Sequence, residues 1–97
     1  MKIIPEPILF EWDEGNIDKN FIRHNVTNQE AEEVFSNEPL IIALDIIHSE
    51  REQRYKGLGK TNQSRLLFVS FTKRDEKIRI ISIRDMNKKE KNNYEKV

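Results

Sequence analysis

Arg65-Leu66-Leu67-Phe68-Val69-Ser70-Phe71-Thr72-Lys73-Arg74-Asp75-Glu76-Lys77-Ile78-Arg79-Ile80-Ile81-Ser82-Ile83-Arg84-Asp85 decides how this 97-residue chain is read. Two runs, Leu66 to Phe71 and Ile78 to Ile83, are rich in β-branched and aromatic residues and flank a short charged break. Such a pattern reads as an antiparallel hairpin. The hairpin holds the best core material in the chain. It also carries Arg79 and Arg84, charges that a buried strand does not accept unpaired. These two lie five residues apart, so a regular strand sends them to opposite faces. They share a face only if a bulge intervenes or if Arg84 already lies at the strand end, and Arg84 is expected near the junction with a following helix.

Upstream of the hairpin, Leu40 to Ile47 reads as a strand and His48 to Gln53 as a polar turn. Arg54 to Lys60 alternates, with Arg54, Lys56, Leu58 and Lys60 on one face and Tyr55, Gly57 and Gly59 on the other. Thr61-Asn62-Gln63-Ser64 is turn chemistry. Near the start, Ile8-Leu9-Phe10-Glu11-Trp12 reads as a short strand. Asp13 reads as a helix N-cap with Glu14 in the first turn. Ile17, Phe21 and His24 then share one helical face, with Asn20 and Arg23 beside it, and His24 reads as a hydrogen-bonded packing residue. Asn25 fits a left-handed C′ position. Thr27-Asn28-Gln29-Glu30 is a capping box, followed by the apolar stripe Ala31, Val34 and Phe35, and Pro39 ends that segment. A helix pair therefore spans about 13–36. Asn87-Lys88-Lys89-Glu90 opens a basic C-terminal helix through Lys96, with Tyr94 four residues after Glu90. The expected order is β-α-α-β-β-β-β-α. This is an α+β domain over 1–97 in which an antiparallel sheet is packed by two N-terminal helices and one C-terminal helix.

Composition narrows the function. There are no cysteines, which excludes disulfides and thiolate metal sites. No apolar run of about 18 residues exists, so no membrane span is expected. The start Met1-Lys2-Ile3-Ile4-Pro5 lacks the apolar region of a signal peptide, and a cytoplasmic protein is expected. The net charge of zero conceals a split. Residues 1–50 hold three Lys/Arg against 11 Asp/Glu, a formal −8; residues 51–97 hold 14 against six, a formal +8. Either the basic half meets a polyanion or an acidic partner, or the two halves neutralise each other within the fold.

His24 and His48 are the only histidines and show no metal-ligand spacing, so neither a metal nor another cofactor is expected. Gly57-Leu58-Gly59-Lys60 lacks the rest of a phosphate-binding loop, and no Ser/His/Asp arrangement can be inferred. The clearer signal is the basic set Arg54, Lys56, Lys60, Lys73, Arg79 and Arg84. Guanidinium forks match phosphate oxygens, and a sheet face bearing several could hold an RNA backbone. The same groups could stabilise the charge that develops as a 2′-hydroxyl attacks its neighbouring phosphate. A solvated strand surface is the plainer alternative.

Seven segments in order resemble the BrnT toxins of bacterial type II toxin–antitoxin systems. They are Phe10-Glu11-Trp12-Asp13; Asn20 with His24 and Val26; Ala31 to Phe35 with Pro39; Arg54 with Gly59; Arg65-Leu66-Leu67 through Thr72; Ile78-Arg79-Ile80-Ile81-Ser82 with Arg84; and Glu90 with Tyr94. The likeness covers residues 8–95. Asn16 stands where the family usually carries Lys, Asn25 where it carries Gly, and Ile83 and Met86 where it carries Ala. The resemblance implies a RelE-like fold and a growth-arresting, metal-independent endoribonuclease acting on mRNA. It also implies a BrnA-like antitoxin that neutralises the toxin and binds operator DNA as the complex. Arg79 and Arg84 would then bind the scissile phosphate or stabilise its transition state, with Arg54 and Lys60 holding flanking phosphates. Glu90 or Tyr94 would shuttle a proton, and Lys56, Lys60, Lys73 and His24 would contact flanking RNA. A degenerate toxin that only pairs with its antitoxin is the second reading. A DNA-binding helix-turn-helix is a third, disfavoured by the acidic charge of the paired helices.

Overall fold

The computed structural model describes residues 4–97; the opening Met1-Lys2-Ile3 of the signal-peptide reading lies outside them. In order, the elements are α1 (Lys19–His24), α2 (Asn28–Val34), β1 (Ile41–Leu44), β2 (Arg54–Lys60), β3 (Leu66–Arg74), β4 (Lys77–Asp85) and α3 (Lys88–Glu95). The four strands form one antiparallel meander in the order β1-β2-β3-β4. No described helix is long and apolar enough to cross a membrane.

The hairpin turns through Asp75 and Glu76, both with positive φ (49° and 64°). Two such residues make the turn whose twist matches the flanking strands. Within the hairpin the register slips: Ser70 faces Ser82, but Phe71 faces Ile80. Ile81 is the extra residue of a β-bulge, and it reverses the side-chain parity along β4. Ile78, Ile80 and Ile83 therefore all enter the core.

That core lies under α2. Val26, Ala31, Val34 and Phe35 pack on Leu67, Val69, Phe71 and the β4 isoleucines. The Phe35 ring meets Phe71 edge-on at 5.0 Å and Phe10 at 5.5 Å. Gly59 permits the close approach, since a Cβ there would stand 2.7 Å from Val34 Cγ1. The Thr27 capping box and the left-handed Asn25 (φ 56°) form as expected.

The N-terminal third departs from expectation. Asp13 does not cap a helix. Its carboxylate accepts from the Gly15 N–H (2.8 Å) and its carbonyl from Ile17 (2.8 Å), which makes a turn, and α1 starts only at Lys19. The expected apolar stripe does not face the core: Ile17 and Phe21 are half exposed, and His24 is an exposed residue rather than a packing one. The buried residues here are Asn16 and Asn20. The Asn16 amide donates to the carbonyls of Glu11 (2.9 Å) and Ile80 (3.2 Å), and Asn20 Oδ1 accepts from the Ile83 N–H (3.0 Å).

These bonds explain a second correction. The segment Ile8-Leu9-Phe10-Glu11-Trp12 is not a strand. It makes a single parallel bridge, with Ile78 N–H donating to Leu9 (2.7 Å) and Glu11 N–H donating to Ile78 (2.9 Å). Beyond Ile78 the edge of β4 is occupied by the asparagine side chains, so pairing cannot continue. An edge strand is thus sealed by polar groups rather than by a fifth strand. β1 is also shorter than expected, because Asp45 already closes onto Arg54 through its N–H (2.8 Å to the carbonyl).

One guanidinium ties the helices to the sheet. Arg65 donates to the carbonyls of His24 and Asn25 and to the carboxylates of Glu30 and Asp85. On the opposite sheet face, α3 lies across one end, with the Tyr94 hydroxyl donating to the Pro39 carbonyl at 2.6 Å.

Replacing Asn20 with Ala strands the buried Ile83 N–H, and a urea melt should show a loss of about 1–3 kcal/mol. Glu76→Gly relieves a left-handed residue and should raise stability by roughly 0.5–1 kcal/mol in the same assay.

Candidate nucleic-acid interface on the open sheet face

Cross-strand partners share a face, so the register defines what lies beside what. Arg54, Thr72 and Arg79 form one row across β2, β3 and β4. Lys56, Ser70 and Ser82 form the next, and Leu58, Phe68 and Arg84 the third. All three rows lie on the face away from α2. The bulge at Ile81 puts Arg79 and Arg84 on this one face, as the sharing of a site requires. Arg54 and Arg79 stand two strand spacings apart, roughly 10 Å. The third row is roofed by α3, since Glu90 and Asn93 border Leu58 and Phe68. The first row carries a hydroxyl between two cations; the second carries a cation on β2 followed by two hydroxyls. Thr72 is buried there, its hydroxyl donating to the Gln53 carbonyl at 2.7 Å.

Several of the arginines are already engaged. Arg79 donates to Glu11 (2.9 Å) and twice to Asp13 (2.8 and 3.0 Å), and its side chain is only 14% exposed. Arg74 makes a two-pronged pair with Glu52 at 3.0 and 3.1 Å. Arg84 lies 4.2 Å over the Phe68 ring and pairs with both oxygens of Glu90 at 2.8 and 3.0 Å. The acidic N-terminal half thus neutralises part of the basic half, through Glu11, Asp13 and Glu30. Arg54 and Lys56 form no such pair among the described residues.

The other expected site residues divide. Lys60 lies on the same face, at the far end of β2. Lys73 does not: it pairs with Ile78 and belongs to the α2 side. His24 ends α1, beside the outer edge of β4 rather than on the face. Tyr94 is buried with its hydroxyl on Pro39, and burial raises its pKa. Glu90 also closes the α3 capping box through the Asn87 N–H (2.9 Å).

One arrangement was missed by the sequence reading. His48 Nδ1 lies 2.9 Å from Asp45 Oδ2, in the loop between β1 and β2. The signal was present as an Asp-x-x-His spacing, which places both side chains within one turn.

The fold and this face define a small α+β protein with a cation-flanked open sheet. The family model described as "Ribonuclease toxin, BrnT, of type II toxin-antitoxin system" matches residues 12–90. The chain belongs to that family of ribonuclease toxins, whose members act with a cognate antitoxin. No curated protein matches it.

The ion pairs make stability pH-dependent. Hydrogen bonds from Arg79, Arg65 and Arg84 hold Asp13, Asp85 and Glu90, respectively, below the usual carboxylate range. A carboxyl group with a lowered folded pKa contributes stability above its unfolded value and loses it as pH falls through the folded one. Urea midpoints should hold steady above about pH 5 and fall progressively below about pH 4.

Proposed function

We propose that this chain is a metal-independent endoribonuclease that cleaves mRNA to arrest growth, with a RelE-like fold. A BrnA-like antitoxin would neutralise it, and the complex would bind operator DNA. The observation that carries this reading is the common face of Arg54, Lys56, Arg79 and Arg84. In the proposed reaction the ribose 2′-hydroxyl attacks the adjacent phosphate, and extra negative charge builds on the phosphoryl oxygens. Arg54 and Lys56, free of carboxylate partners, receive those oxygens, and Lys60 holds a flanking phosphate. Arg84 joins by exchanging Glu90 for phosphate, a swap between two forks of matching geometry. Arg79 acts by position. Its pairs with Glu11 and Asp13 fix the N-terminal segment against β4 and set that border of the face. Cationic side chains supply the charge stabilisation that such a cleavage needs.

The ion pairing of Arg79 and Arg84 favours the second reading, a degenerate toxin that serves only as an antitoxin-binding module. Expression of the chain alone in bacteria separates the two. Growth arrest with loss of mRNA supports the enzyme; normal growth with retained antitoxin binding supports the module.

Arg79→Ala is a poor probe, because it also frees two carboxylates at a structural junction. The double variant Arg54→Ala/Lys56→Ala touches neither an ion pair nor the core. Its cleavage of a single-stranded RNA should fall by about 10²-fold or more with an unchanged melting temperature. Undiminished cleavage by that folded variant rules out the assignment.

A further inference from the structure

We propose that His48 is the general base of this ribonuclease, held by Asp45 at the mouth of a cleft that takes the scissile phosphate. The inference rests on the ribonuclease reading above and assigns its proton transfer to a group other than Glu90 and Tyr94.

The cleft has a volume of about 540 Å³ and lies where the β1–β2 loop meets the Arg54 end of the open sheet face. His48, Glu50, Arg51, Glu52, Arg54 and Arg74 line it. Glu52 is spent on Arg74, while Arg51 and Arg54 have no carboxylate within bonding distance among the described residues. The cleft therefore offers two free guanidinium forks beside an imidazole. Only Glu50 remains as an unpaired anion.

The loop is built to hold the ring. Asp45 and Arg54 close it through a backbone bond of 2.8 Å. Ser49 braces it from inside, donating to the Asp45 carbonyl and accepting from the Arg54 N–H at 3.0 Å. Asp45 Oδ1 accepts from the His48 N–H (3.3 Å), and Oδ2 lies 2.9 Å from Nδ1. The Asp45 side chain is 14% exposed and that of His48 62%. A carboxylate in this position fixes the tautomer with the proton on Nδ1, which leaves the Nε2 lone pair on the solvent side. The order carboxylate, imidazole, substrate hydroxyl is that of a hydrogen-bonded base and its orienter.

In the step, Nε2 takes the 2′-hydroxyl proton as the 2′-oxygen bonds to phosphorus. The bond from phosphorus to the 5′-oxygen breaks, and that oxygen takes a proton from water. The imidazolium returns its proton to the hydroxide so formed. The products are a 2′,3′-cyclic phosphate and a 5′-hydroxyl. Arg54 holds the non-bridging oxygens together with Lys56, and Arg51 adds a second fork from the loop side of the cleft.

The test uses the full chain and a single-stranded RNA oligonucleotide. His48→Ala should cut about 10²-fold or more slower than the parent. It should bind the same oligonucleotide, made with 2′-deoxyribose, with unchanged affinity and melt at the parent temperature. Added imidazole should restore part of its rate, which a merely structural role would not allow. His48→Gln, which keeps a polar side chain of similar reach, should be equally slow and also respond to imidazole. If the parent does not cut RNA, the ribonuclease reading fails and takes this inference with it. If the parent cuts and His48→Ala keeps pace, or if imidazole restores nothing to either folded variant, His48 is not the base.

Discussion

A single surplus residue in β4 governs this structure. Without the bulge at Ile81, the register that buries Ile78 and Ile80 would turn Ile83 outward and Arg84 inward. With it, three isoleucines fill the core and two arginines reach the opposite face. The bulge thus satisfies hydrophobic burial and charge exposure together, which a regular strand of this sequence could not do. The sequence does not mark its position, since Ile78, Ile80, Ile81 and Ile83 are all apolar and fit either phase. Arg79 and Arg84 alone revealed only that some such irregularity was needed.

What could be read from the chain was local. The two capping boxes, the left-handed Asn25, the alternation of Arg54 to Lys60 and the stripe of α2 each depend on atoms within a few residues. What could not be read depends on partners far along the chain. Asn16 and Asn20 meet Ile80 and Ile83 from 64 and 63 residues away. Asparagines beside an apparent apolar stripe give no sign that they, rather than Ile17 and Phe21, will be buried. Burial follows the unmet backbone groups of an edge strand, which make a polar side chain the better neighbour. The premature ending of the Ile8-to-Trp12 pairing has the same cause.

The candidate site was legible to the same depth. The cationic set and its β2 face stood out, because alternation alone places Arg54, Lys56 and Lys60 together. The neutralising carboxylates did not, since Glu11 and Asp13 reach Arg79 across 68 and 66 positions. Of the two ways to read the charge split, internal pairing and an outward cationic face, the fold realises both in different places. Arg79 and Arg65 are turned to structural use, whereas Arg54 and Lys56 remain uncommitted. Charge count could not sort one group from the other; geometry does.

Arg65 has a bearing on how the protein comes apart. Its fork joins the end of α1, the start of α2 and the end of β4 at a single point. The helical layer is short, six and seven residues, and has little stability of its own. Detaching it would strand this guanidinium and uncover Val34 and Phe35 at once. Amide protons of both helices should therefore exchange together with those of the sheet, as one cooperative block, rather than in a separate early opening.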